Sequence, residues 1–95
     1  MTVRRLRIPD DVAALIRGLH PSIKKKVRAG LEAIVDAPET GEALKDELAG
    51  LRSYRLGNLR IVYRWAKGRV IELAAVGPRR HIYRDTYRTV RLEAP

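Results

Sequence analysis

Arg55, Arg60 and Arg64, followed by Arg79, Arg80, His81 and Tyr83, are the residues whose types and spacing could do chemistry. Guanidinium groups are permanent cations that hold phosphates and stabilise developing negative charge, but they are poor proton shuttles near neutral pH. His81 titrates intrinsically in the physiological range, and its neighbours Arg79 and Arg80 disfavour a third cation beside them. Tyr83 among the same arginines could give up its proton more readily, or stack on a base. With Glu42 as a further acid–base candidate, this set suits metal-independent cleavage of a phosphodiester in RNA. Such a reaction deprotonates the 2′-hydroxyl, aligns it in line with phosphorus, stabilises the oxyanion and protonates the leaving 5′-oxygen. The alternative for each group is plain: His81 as an exposed tail residue, and the arginines as a solvated face.

Composition narrows the classes. The chain carries 20 Lys plus Arg against 11 Asp plus Glu, a net charge of +9. Residues 1–50 hold nine basic and eight acidic side chains, and residues 51–95 hold eleven and three. All four tyrosines and the single tryptophan also lie in the second half. Cations interleaved with aromatics suit nucleic acid, where charges neutralise phosphates and rings stack on bases. Two histidines 61 residues apart and no cysteine leave no clustered zinc ligands. Gly57 and Gly68 read as hairpin glycines, so no phosphate-binding glycine loop is present, and no cofactor is expected. No apolar run approaches membrane-spanning length and no leader pattern precedes the chain. The expectation is a soluble, cytoplasmic protein of one domain, residues 1–95, without membrane attachment.

The elements that must position these residues follow from hydrophobic period. Residues 3–8 alternate apolar and basic side chains, a short edge strand that Pro9 ends. Asp10 and Asp11 open a helix whose Val12, Leu15, Ile16 and Leu19 form one apolar stripe. Pro21 starts a second helix with Ile23, Val27, Leu31, Ile34 and Val35 inward and Lys24, Lys25, Lys26 and Arg28 on a solvated face; Pro38 stops it. His20 is a helix-boundary residue without assigned chemistry. Residues 42–48 fit a single helical turn. Residues 51–77 then read as a three-stranded meander, and residues 80–88 as a short helix or irregular tail. The fold class is α+β: β-α-α-β-β-β with a short C-terminal element, an antiparallel sheet packed on an N-terminal helical hairpin.

Gly57-Asn58 is a strong two-residue hairpin turn, because these residues tolerate positive φ. It places Leu56 opposite Leu59 and Arg55 opposite Arg60, with Arg64 on the same face. Like charges directly opposite are unfavourable, so an exchangeable anion best explains the cluster. Lys67-Gly68 offers a second turn and would set Arg60 opposite the small Ala75. The helix-facing side is then Ile61, Tyr63 and Trp65 with Val70, Ala74 and Val76, and Glu72 points the same way. Tyr63 and Trp65 are core rather than base-stacking residues.

At these positions the sequence resembles the RelE/ParE superfamily of bacterial and archaeal toxins, in its RelE-like branch. The resemblance covers nearly the whole chain. It is carried by residues 42–55 (EALKDELAGLRSYR), 59–63 (LRIVY) and 76–83 (VGPRRHIY). It implies the RelE/ParE-like fold and a toxin of a type II toxin–antitoxin system that enters the ribosomal A site and cuts mRNA. A cognate antitoxin, the ribosome with its rRNA, and mRNA are the implied partners. Carried over by position, Arg60 would stabilise the scissile phosphate, with Arg79 or Arg80 adding charge. Arg55, Arg64 and Lys45 would bind RNA, and Tyr83 would position a nucleotide. His81 would be a general acid and Glu42 a base. Some RelE members carry a second lysine on the first hairpin strand where this chain has Leu56 and Gly57, so the base stays open. A non-catalytic, ParE-like gyrase poison and an inactive homologue that binds only antitoxin or DNA are the alternative readings.

Overall fold

Pro9 cannot donate a backbone hydrogen bond, and the chain turns there from strand to helix. The computed structural model describes residues 5–65 and 70–78. Strand β1 (Arg5–Arg7) is followed by α1 (Asp10–Arg17), with two aspartates in its first turn and Arg17 in its last, both complementary to the helix dipole. Helix α2 (Pro21–Asp36) begins with Pro21 where no N–H is needed. His20 caps it: Ser22 N–H donates to His20 Nδ1 at 3.2 Å. A 3-10 turn (Pro38–Thr40), the two-residue β2 (Glu42–Ala43) and a second 3-10 turn (Asp46–Leu48) lead to β3 (Leu51–Leu56), β4 (Leu59–Trp65) and β5 (Val70–Pro78). The sheet runs β1-β5-β4-β3-β2; β1 lies parallel to β5 and the other neighbours are antiparallel.

The α+β architecture is the one expected, and the helices cover one face of the sheet. Val12, Val27 and Ile34 from the helices meet Ile61, Tyr63, Ile71, Leu73 and Val76 from the strands in the main core. Trp65, Tyr54 and Leu56 pack against its edge. Leu15, placed in the apolar stripe of α1, is instead 49% exposed, because the eight-residue helix buries Val12, half-buries Ile16 and turns Leu15 outward.

The first hairpin has the expected register, with Arg55 opposite Arg60 and Leu56 opposite Leu59. Gly57 takes φ 61° while Asn58 stays negative, the pattern of a type II′ turn. The second hairpin differs. Tyr63 pairs with Leu73 but Val62 pairs with Ala75, so Ala74 is an extra residue on β5, a β-bulge. A bulge exchanges the two faces of a strand. The register is already one residue off the expected one at Trp65, which pairs with Ile71, so Ile71 and Leu73 face the helices rather than Val70 and Ala74. The bulge adds a second residue, and Arg60 lies opposite Gly77 rather than Ala75. Val70 is 51% exposed, and Glu72 lies on the far face beside Arg7 at 3.4 Å. The Lys67-Gly68 turn and the expected element at 80–88 lie outside the described residues.

Residues 42–48 form no continuous helical turn. The cause is the Tyr63 side chain. Its hydroxyl donates to the Pro38 carbonyl and accepts from Gly41 N–H at 3.0 Å, which fixes residues 38–41 against the sheet. Gly41 is required for space, since a Cβ there would meet the phenol ring at 2.9 Å from Cζ. Arg52, opposite Tyr63, adds a bond from Nη1 to the Gly41 carbonyl at 2.8 Å and sits 5.8 Å over the Trp65 ring. So held, Glu42 and Ala43 pair with Ser53 and Arg52 instead of coiling.

Tyr63→Phe removes both hydroxyl bonds and strands a buried N–H and a buried carbonyl, at a cost of about 1–3 kcal/mol per group left unsatisfied. Gly41→Ala, which forces the ring to move, is expected to cost about 1–3 kcal/mol. Burial pushes the Tyr63 phenol up from 10.0, outweighing the Gly41 N–H bond and the Arg52 charge, which pull it down. The folded state thus holds this proton more tightly than the unfolded chain. Its contribution is complete below pH 10 and declines as pH rises beyond that value. Chemical denaturation across the alkaline range should give a shallower decline for Tyr63→Phe than for wild type; equal slopes would refute the assignment.

Candidate nucleic-acid interface

Side chains alternate along strands, so everything not turned to the helices collects on the far face. On β4 these are Arg60, Val62 and Arg64; on β3, Leu51, Ser53 and Arg55; on β5, Glu72, Ala75 and Gly77; on β1, Arg5 and Arg7. Glu42 joins them through its pairing with Ser53. The middle of the face is closed by a second apolar cluster, in which Leu44 and Leu48 pack on Leu51 and Val62. Lys45, next to Leu44 in the chain, is exposed.

Arg60 is the unusual member. Only 9% of it is exposed, whereas Arg55 and Arg64 are exposed. Its neighbours across the sheet are Arg55 on β3 and Gly77 on β5, a like charge and no side chain. Among the described residues no carboxylate lies within ion-pair distance of it; the ion pair on this face is Arg7–Glu72. A nearly buried guanidinium whose cross-strand neighbours are another arginine and a glycine is suited to receive an anion. Its small neighbour on β5 is Gly77 rather than the expected Ala75.

The described part brings together Arg55, Arg60, Arg64 and Glu42 on one side of the sheet; Lys45 is exposed in the segment whose Leu44 and Leu48 pack on that side. Glu42 is exposed and stands one strand from Arg55 and two from Arg60. Arg79, Arg80, His81 and Tyr83 lie outside the described residues; Pro78, at the end of β5, pairs with Leu59 immediately beside Arg60. Among the described residues no cluster of His, Asp or Glu could hold a metal ion. No helix among them is long and apolar enough to cross a membrane. Sequence reasoning missed Arg52 as the residue that pins the 38–41 turn. Its strand position was legible, but its partner is a backbone carbonyl eleven residues away. Arg5 and Arg7 were visible only as an alternating strand; their placement on the cationic face depends on the parallel pairing with β5.

A sequence profile of the ParE toxin of type II toxin–antitoxin systems (parDE) matches residues 6–83. The chain belongs to this family, within the RelE/ParE superfamily. It is a toxin of a type II toxin–antitoxin system. Solved structures of RelE toxins share the fold. The toxin–antitoxin complex RelBE2 of Mycobacterium tuberculosis matches with TM-score 0.73 and 26% identity, covering 83% of this chain and 94% of that one. The archaeal RelE–RelB complex of Pyrococcus horikoshii matches with TM-score 0.62 and 26% identity, over 83% and 97%. A free Escherichia coli RelE carrying two arginine-to-alanine substitutions matches with TM-score 0.76 and 15% identity, over the full length of both chains. No curated protein matches the sequence significantly.

A site built of unpaired like charges lowers stability. Arg60→Met, which keeps the buried stem and removes the charge, is expected to be neutral or stabilising by up to about 2 kcal/mol at low ionic strength. Millimolar sulfate should raise the melting temperature of wild type more than that of the variant, by binding the folded state alone. Thermal melts with and without sulfate check this; a variant less stable than wild type would mean that Arg60 has a structural partner.

Proposed function

We propose that this toxin is a ribosome-dependent endoribonuclease that cuts mRNA in the A site and so stops translation. The observation that carries the reading is Arg60: nearly buried, with Arg55 and Gly77 as its partners on the neighbouring strands. In the reaction the 2′-oxygen loses its proton and attacks phosphorus, forming the new P–O2′ bond as the P–O5′ bond breaks. The products are a 2′,3′-cyclic phosphate and a 5′-hydroxyl. Arg60 stabilises the charge that grows on the non-bridging oxygens, with Arg79 or Arg80 adding to it. His81 protonates the leaving 5′-oxygen, and Tyr83 holds a flanking nucleotide. Glu42 is the candidate base, standing on the Arg55 side of the face. Arg55, Arg64 and Lys45 hold the RNA backbone, and the ribosome supplies in-line alignment of the message. The work is done in the cytoplasm, without a cofactor, by a single domain spanning residues 1–95.

Control of such an activity falls to a cognate antitoxin. The RelE structures from M. tuberculosis and P. horikoshii were determined in complex with antitoxin. A net charge of +9 suits an acidic, partly disordered segment that folds as it binds. A groove of about 450 Å³ between α1 and α2, with Ile8, Ile16 and Val27 in its floor and Arg17, Lys24 and Arg28 around it, could seat such a segment.

A second reading is favoured by one finding: the matching profile is that of ParE. A ParE-like toxin would bind DNA gyrase and need no phosphate-cleaving cluster. Primer extension on a programmed ribosome separates the two. Wild-type protein should produce a new cut in the A-site codon. Arg60→Ala should reduce the cutting rate by about 10²–10³-fold, the loss seen when one oxyanion-stabilising donor is removed. His81→Ala combined with Tyr83→Phe should slow it as well. An intact message together with inhibited supercoiling by gyrase would establish the ParE-like reading instead.

A further inference from the structure

The cationic face does not end at Arg64. Arg64 on β4 lies opposite Glu72 on β5, and Glu72 lies opposite Arg7 on β1, so the carboxylate stands between two arginines in one cross-strand row. Arg5 follows on the same face of β1, beside the exposed Val70. Neighbouring strands are about 4.8 Å apart, and Arg60 and Arg64 are about 13 Å apart along β4. Between those two, Val62 is covered by Leu44 and Leu48. The strand arginines therefore form a line: Arg60, Arg64, Arg7, Arg5. The Arg7–Glu72 contact is 3.4 Å, with the side chains 73% and 37% exposed. A surface pair of this kind contributes about 0–1 kcal/mol and exchanges easily for another anion.

We propose that Arg5 and Arg7 on β1 extend the RNA-binding surface, holding backbone phosphates of the same mRNA strand at a distance from the cut, with Glu72 as the internal anion that the RNA displaces. This rests on the ribonuclease reading. Single-stranded RNA is the favoured occupant because the charges are strung along a line continuous with Arg60. An acidic protein segment seated at this end alone would need no such continuity.

The test is a length series of single-stranded oligouridylate, from a trinucleotide to about ten nucleotides, bound to the full chain at several salt concentrations. Wild type should gain affinity with length. Arg5→Gln/Arg7→Gln should match wild type on the trinucleotide and bind the longest oligomer about fivefold to tenfold more weakly. Its slope of log K against log salt should fall by about 0.7 for each phosphate that is no longer neutralised. Glu72→Gln should bind the longest oligomer more tightly than wild type. The proposal is overturned if the folded double variant, checked by circular dichroism, gains affinity with length as wild type does. It is also overturned if that variant loses binding to polyglutamate but keeps its RNA affinity, which would assign the surface to an acidic protein. Cleavage by wild type on a programmed ribosome, run in parallel, separates the two failures. A message cut normally with an unaltered length series sinks only the β1 assignment. An uncut message sinks the ribonuclease reading beneath it.

Discussion

The fold turns on one buried phenol. Tyr63 stands in the middle of β4, packed in the core, yet its hydroxyl reaches past the helices to the backbone at Pro38 and Gly41. Those two bonds tie the end of α2 to the sheet and decide where the chain re-enters it. Because residues 38–41 are fixed, β2 can pair with β3, and Leu44 and Leu48 can fall onto the far face. Glu42 reaches the candidate site along this route. Gly41 has no side chain because the phenol ring occupies the space. Arg52 closes the arrangement from the opposite strand, with its charge on the Gly41 carbonyl and its plane over Trp65. A core residue, a turn and a site residue thus share a single constraint.

The two faces of the sheet answer to different demands. The helix-facing side is specified by apolar packing, where each methylene removed costs about 1 kcal/mol. The far side carries Arg5, Arg7, Arg55, Arg60 and Arg64, and against them Glu72 and Glu42. Such a surface opposes folding through self-repulsion, and the core must carry it. The second apolar cluster limits the damage: Leu51, Val62, Leu44 and Leu48 cover the centre of the face, and the charges are left at its margins. Arg60 is the exception. It lies closest to the buried interior and has the strongest electrostatic effect on whatever binds, because its field is least screened by water.

Much of this was legible in the sequence. The pairing of Arg55 with Arg60 follows from two turn residues, since a two-residue loop leaves no freedom in register. The helices followed from apolar period and from prolines at their ends. What could not be read was non-local. A one-residue offset at Trp65, which pairs with Ile71, turned Val70 and Glu72 to the other face. The bulge at Ala74, with no signature among the flanking Leu73 and Ala75, added the second residue that sets Arg60 opposite Gly77. Its cause lies in how Leu73 and Val76 both reach the core, a condition set by the helices rather than by β5 itself. The Tyr63 clamp was invisible for the same reason. A tyrosine at a core position announces that its hydroxyl needs partners, but not that they lie more than twenty residues back, with |i−j| of 22 and 25.

Membership of the RelE/ParE superfamily fixes the scaffold and leaves the chemistry to a few side chains. The physics of the sheet explains why. The residues that specify the fold point to the helices, and the residues that would touch RNA point away from them, so either set can change while the other stays. A gyrase-binding toxin and an RNA-cutting toxin can therefore share β-strand order, core and turn clamp. What distinguishes them is whether the far face concentrates positive charge where a phosphate can approach. In this chain the place to test that condition is Arg60, nearly buried, with a like charge on one neighbouring strand and a glycine on the other. A nearly buried guanidinium with no carboxylate in ion-pair distance among the described residues is costly until an anion, a phosphate or a protein partner's carboxylate, meets it. An active site gains further, because a preorganised cation in low dielectric stabilises a transition state strongly. The placement of Arg60 fits the catalytic reading proposed above.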